Sequence, residues 1–159
     1  IYRCWRRKRI IRSLFKLCRV CLLKFNYMKI KRIEESNFDE ISQWWLDWEI
    51  PIPDPDYLPH DSTGGYIVSK DGVNVAAGYL YFTNARIAYI DFVVSNIKYR
   101  EKDRNELITK LIDYMVKHAI KVGCKFVWAT SAEPGIVSKV KSLDYEVLEE
   151  KHSIIYKYA

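Results

Sequence analysis

Residues 66 to 94 constrain the chain most. Three apolar runs, Tyr66 to Ser69, Val73 to Phe82 and Arg86 to Val94, follow one another with only Lys70-Asp71-Gly72 and Thr83-Asn84-Ala85 between them. Runs rich in Val, Ile, Tyr and Phe that are joined this tightly pair as hairpins, because so short a connection leaves no room for a crossover. An antiparallel meander is expected, and the remaining segments must cover its faces.

Those segments are legible in outline. Lys29 to Ile33 alternates polar and apolar residues as a half-buried strand does, and Asn37 is placed as the N-cap of a helix running through Ile41, Trp44, Trp45 and Trp48. Pro51, Pro53, Pro55 and Pro59 then rule out helix across residues 50 to 59 and predict a stiff loop. Beyond the meander, Lys102 to Val122 carries Leu107, Leu111, Ile112, Met115 and Ala119 at helical spacing, with Gly123 as its stop. A buried strand over Lys125 to Thr130, a short helix through Ile136, Val137 and Val140, and strands at Glu146 to Leu148 and Ser153 to Tyr158 complete the plan. The fold class is α/β: a central mixed, mostly antiparallel sheet of about six or seven strands flanked by about three or four helices.

Charge divides the chain in two. Residues 1–27 hold nine Lys or Arg and no acid, which leaves 17 bases against 20 acids in residues 28–159, so the net +6 belongs to an arm. The arm reads as a basic amphipathic helix from Ile10 to Phe25. It either attaches to an anionic membrane surface or nucleic acid, or packs on the domain, or is upstream translation foreign to the natural protein; the last is the expectation, because Met28 opens the first strand of the domain. Nucleic acid is not expected as a partner except through this arm.

No stretch approaches the ~20 apolar residues that span a bilayer. The four cysteines are not the paired usage of a secreted scaffold, and a cytoplasmic location is expected. No metal is expected: Cys18-x-x-Cys21 lacks a second pair, and Asp54, Asp56, His60 and Asp61 are interrupted by prolines without a recognised spacing.

The element order and two motifs resemble the GNAT superfamily of acyl-CoA-dependent N-acetyltransferases. The first motif is Asp91-Phe92-Val93-Val94-Ser95-Asn96-Ile97-Lys98-Tyr99-Arg100-Glu101-Lys102-Asp103-Arg104-Asn105, at the place of that family's central strand and its R/Q-x-x-G-x-G/A loop. There, backbone N–H groups at a helix start hold the pyrophosphate of coenzyme A. The resemblance implies acetyl-CoA as cosubstrate, with Val93 and Val94 polarising its thioester and Arg100, Glu101, Lys102, Asp103, Arg104 and Asn105 forming the loop. Asp103 and Asn105 replace two glycines and so degrade the motif, and Asp103 repels an anion; Lys102 and Arg104 offer compensating charge. Arg100 to Glu106 also reads as a solvated helix start. The second motif is Val140-Lys141-Ser142-Leu143-Asp144-Tyr145, where Val140 stands in place of a tyrosine general acid and Asp144 in place of a glycine. The tryptophan-rich helix, the proline loop and the Arg-rich loop also look like GNAT-type proteins of bacteriophages.

The resemblance implies acetyl transfer to an amine of a small molecule or protein, by a monomer or homodimer. Asp91, in an apolar strand, is the candidate base, unless it points to solvent. Tyr145 is the candidate acid, with Ser131 or solvent as substitutes. Trp45, Trp48 and His60 are candidates for the acceptor site, and the tryptophans serve equally well as core. The alternative is a catalytically inactive GNAT-like binding or interaction protein.

Overall fold

The computed structural model describes residues 27–130, 134–141 and 145–146. Strands β1 (Met28–Arg32), β2 (Gly65–Lys70), β3 (Val73–Phe82), β4 (Ile87–Ser95) and β5 (Phe126–Ala129) form one sheet in that order. Every neighbour is antiparallel except β5, which runs parallel to β4. The helices are α1 (Phe38–Asp47), α2 (Arg104–Lys121) and α3 (Pro134–Lys141). The expected meander is therefore present, closed at one end by a two-residue turn in which Asp71 and Gly72 have φ of 50° and 83°, the mirror-image geometry that matches strand twist.

Strand alternation sorts the core into two layers. Tyr66, Val68, Ala76, Leu80, Ala88 and Ile90 meet Leu107, Leu111 and Met115 of α2 on one face. Ile67, Ala77 and Tyr79 meet Ile41, Trp44 and Trp45 of α1 on the other. Because β2 is covered on both faces, its Tyr66-Ile67-Val68 run is continuously apolar. α3 lies against α2.

Helix α2 ends where Gly123, at φ 107°, donates to the Ile120 carbonyl at 3.0 Å while Cys124 donates to that of Ala119 at 3.0 Å, the paired closure that favours glycine. β2 and β3 approach closely at Gly65, where a Cβ would stand 2.4 Å from the Gly78 carbonyl oxygen.

Two expectations change. Asn37 is helical and does not cap α1; its Oδ1 accepts from the Glu34 N–H at 3.1 Å, closing a short 3-10 turn at Glu35–Asn37 ahead of the helix. Five strands lie among the described residues against six or seven expected, since Glu146 is irregular and the rest of the segments 146–148 and 153–158 falls outside them. The basic arm, all but Tyr27, also falls outside. No helix among the described residues is long and apolar enough to cross a membrane.

Candidate functional site

The site grows from an irregularity in β4. Ala77 pairs with Val94 and Tyr79 with Asp91, so Gly78 alone faces both Phe92 and Val93. Two residues opposite one is a β-bulge, and Phe92 takes φ 49° to form it. An aromatic residue in left-handed backbone costs on the order of 1–3 kcal/mol, a strain that concentrates at functional sites. Asp91 relieves part of the irregularity: its Oδ1 accepts from the Phe92 N–H at 2.8 Å. Glycine is suited to the facing position, because a Cβ on Gly78 would come within 3.1 Å of both Met115 and Val93.

The bulge also reverses strand parity. Ahead of it Tyr89 and Asp91 point to the α1 side; beyond it Val94 does so. This places Asp91, half-buried, on the face it shares with Tyr79 and Tyr81, not on open solvent. Its Oδ2 accepts from the Tyr89 hydroxyl at 2.7 Å. Burial first, and then the bond to Asp91, push the Tyr89 hydroxyl above its usual range, so it remains a proton donor at neutral pH.

Beside the bulge the sheet opens. Pairing of β4 with β5 stops at Ile90 and Ala129, whereas β4 continues to Ser95. The chain then turns at Asn96, whose Oδ1 accepts from the Lys98 N–H at 2.9 Å and whose Nδ2 donates to the Asn74 carbonyl at 3.2 Å. That turn delivers residues 97–105 to the start of α2.

Here an open depression of about 470 Å³ is lined by Arg100, Lys102, Arg104, Asn105, Glu101 and Trp48, together with Ile97 and Tyr99. Three cations and one acid give it a positive balance. The Arg104 guanidinium lies over the Trp48 ring, 5.5 Å from its centroid, and Trp48 is anchored by its indole N–H to the Ser95 carbonyl at 2.7 Å. Trp48 thus belongs to the basic depression, on the loop side of the sheet.

Asp103 does not line that depression. Its carboxylate is drawn aside by the Lys70 ammonium at the end of β2 and by the Tyr99 hydroxyl, which donates at 3.0 Å. The Lys70 hydrogen bond holds Asp103 below the usual carboxylate range and raises Lys70 in turn, so both are charged. The negative charge at Asp103, expected to repel an anion, is compensated here by the Lys70 ammonium.

The other sequence candidates are placed as follows. Val94 is buried and Val93 is exposed on either side of the bulge exit. Trp45 is 2 % exposed and stacks on Tyr79 with ring centroids 6.3 Å apart, so it is part of the core. His60 is exposed in the loop after the 3-10 turn Pro55–Tyr57, the first of three successive residues, His60, Asp61 and Ser62, with positive φ. The proline loop is fixed to the sheet by the Tyr81 hydroxyl, which donates to the Tyr57 carbonyl at 2.9 Å, and by buried Leu58. Tyr145 donates to Asp113 of α2 at 3.0 Å, and burial together with that carboxylate raises its hydroxyl well above the ordinary range. Val140 packs against the α2-side core, and Ser131 lies outside the described residues. Sequence reasoning missed Lys70, Tyr89, Asn96 and Tyr99. Lys70 acts through Asp103, 33 residues on, and Asn96 through a turn, whereas Tyr89 and Tyr99 reach Asp91 and Asp103 two and four residues on, at spacings that are not in themselves a signal.

No family model and no curated protein matches the chain. Solved structures do. N-acetylglutamate synthase from Neisseria gonorrhoeae, solved with coenzyme A and N-acetyl-glutamate, is 15% identical with a TM-score of 0.58, over 74% of this chain and 28% of that one. The chain thus spans little more than a quarter of that enzyme's length. The aminoglycoside N-acetyltransferase AAC(6')-Iy, solved with CoA, is 18% identical with a TM-score of 0.56, over 86% and 98% of the two chains. An aminoglycoside acetyltransferase from an uncultured soil metagenomic sample, solved with trehalose, is 16% identical with a TM-score of 0.59, over 85% and 99%. The chain is similar to these acetyltransferases in fold.

Proposed function

From that fold, we propose that the chain is an N-acetyltransferase of the GNAT type, which takes its acetyl group from acetyl-CoA and passes it to an amine of a small molecule or protein. The observation that carries this reading is a juxtaposition. The cationic depression at the start of α2 follows directly on the end of β4, the strand that continues to Ser95 after its pairing with β5 stops at Ile90, and it would hold the phosphates of an anionic cofactor.

The residues present fit coenzyme A despite the missing glycines. Arg100, Lys102 and Arg104 supply the charge for its phosphates, and Asn105 and Glu101 complete the wall. Asp103 is already paired, so it neither fills the depression nor opposes an anion there. Bound acetyl-CoA supplies a thioester, an acyl carbon open to attack by a neutral amine. Asp91 takes the proton of the incoming ammonium, which is otherwise charged below pH ~10. Tyr89 holds the Asp91 carboxylate in place while the Phe92 N–H fixes its other oxygen. Charge that develops on the thioester oxygen meets the backbone N–H groups of Val93 and Val94, following the resemblance in sequence. The departing thiolate needs a proton; Tyr145, kept neutral by burial, is the proposed donor once its hydroxyl leaves Asp113.

The test is release of free thiol from acetyl-CoA by the purified chain across amines and lysine peptides, with Asp91→Asn as control. Turnover that the substitution abolishes supports the reading. A folded chain that turns over none of them is instead the inactive GNAT-like binding protein.

A further inference from the structure

A row of aromatic rings flanks Asp91 on the α1 face of the sheet. Ring centroids lie 6.5 Å apart from Phe92 to Tyr81, 6.0 Å from Tyr81 to Tyr89 and 4.1 Å from Tyr89 to Trp128. Register explains the alignment: Tyr81 pairs with Tyr89 across β3 and β4, and Tyr89 with Trp128 across β4 and β5, so the side chains stand on one face. The bulge turns the Phe92 ring to the same side, against Tyr81. This is not closed core, since Trp128 is 46% exposed and Tyr81, Tyr89 and Phe92 are only half-buried.

The two tyrosine hydroxyls of the row are already engaged. The Tyr81 hydroxyl donates to the Tyr57 carbonyl at 2.9 Å. The Tyr89 hydroxyl donates to Asp91 at 2.7 Å and bonds the Thr130 side chain. What the row offers a ligand is ring surface, the Trp128 indole N–H and one carboxylate. Ring faces attract a cation with apolar substituents, and the carboxylate pairs with its charge. The row offers a polyhydroxylated acceptor few hydrogen-bond partners for its many hydroxyl groups.

Resting on the transferase reading, we infer that Tyr89, Trp128 and Asp91 select an unbranched alkylammonium as acceptor, its methylenes lying along the Tyr89 and Trp128 rings and its nitrogen at the Asp91 carboxylate. The chemistry is shared by a free diamine and by a lysine side chain. It differs from the acceptors that the names of the aminoglycoside acetyltransferases imply.

The experiment uses the full chain in two arms. In the first, acetyl transfer is measured with cadaverine, with an N-terminally blocked peptide holding one lysine, and with kanamycin. Kinetics with the two alkylamines tell the sources apart, and kcat/KM for the better one exceeds that for kanamycin at least tenfold. Trp128→Ala raises KM for it about tenfold with kcat and the acetyl-CoA KM little changed, and Trp128→Phe, which keeps a ring, recovers most of the loss. In the second arm, binding of cadaverine and of the lysine peptide is followed by tryptophan fluorescence without acetyl-CoA, in wild type, Trp128→Phe and Asp91→Asn, with pentanol as the uncharged control. At least one alkylammonium binds and pentanol does not; the saturable signal weakens in Asp91→Asn. Kanamycin preferred in the first arm, or pentanol binding as well as the amines in the second, overturns the inference while leaving the transferase reading intact. Amine binding without any acetyl transfer retains the alkylammonium site and removes the transferase reading.

Discussion

The Lys70 ammonium at the end of β2 is ion-paired with the Asp103 carboxylate at the N-cap of α2, with the two side chains 18% and 27% exposed. Under the proposed function, the pair makes an acidic residue at the start of α2 compatible with an anionic ligand. Lys70→Met is expected to weaken acetyl-CoA binding by about three- to tenfold, and Asp103→Asn in the same chain to restore it. Titration calorimetry on the single and double variants checks both. Asp103 has a lower pKa folded than its unfolded value of about 3.9, so its contribution to stability is present above that pH and is lost as pH falls through the folded value. Lys70→Met should therefore raise the midpoint of acid unfolding. An unchanged midpoint would mean that Asp103 finds another partner.

Asp91→Asn keeps the size of the side chain and its acceptance from Tyr89, but removes the proposed base. Turnover should fall by about a hundredfold or more at neutral pH, with acetyl-CoA affinity nearly unchanged. Tyr89→Phe leaves the base unanchored, and a smaller drop in kcat is expected. Steady-state kinetics beside calorimetry separates these effects from loss of cofactor.

Gly65→Ala is a stability prediction that lies away from the chemistry. The added Cβ meets backbone oxygen of Gly78 at 2.4 Å, and backbone in the middle of a sheet moves little. A loss of about 2–3 kcal/mol is expected by denaturant titration. Gly72→Ala, which meets nothing within 4 Å, loses less, its cost coming from φ 83° alone.

Tyr79 is fully buried, and its hydroxyl has no hydrogen-bond partner among the described residues. Burial raises its pKa far above the unfolded value of about 10, so its neutral form supports the fold below that pH and the support is lost as pH rises. Phenolate absorbance from this residue should appear only with unfolding. Tyr79→Phe removes the unpaired hydroxyl and is expected to stabilise the fold by about 1 kcal/mol.

Local pattern made much of this fold legible. The meander, the stiff loop and α2 with its Gly123 stop all rest on signals contained within a few residues: short turns, prolines, and periodicity. The α/β class and the acetyltransferase-like fold followed from their order. The site was harder to read, because its decisive facts are cross-strand. No pattern places Lys70 beside Asp103, and the face of Asp91 depends on a bulge whose only outward sign is Gly78 on the neighbouring strand. The tryptophans divide for a similar reason. Trp45 turns into the core against Tyr79, whereas Trp48, at the C-terminal end of α1, is drawn to Ser95 and Arg104. Helical periodicity identifies a face but not what a residue at the helix end will meet.

Calorimetric titration of acetyl-CoA into the full chain, beside Arg100→Ala and Arg104→Ala, tests the central claim most directly. Saturable binding that each substitution weakens by about tenfold is the predicted result. A folded chain that takes up no acetyl-CoA, or binds it with undiminished affinity after both substitutions, would contradict the account.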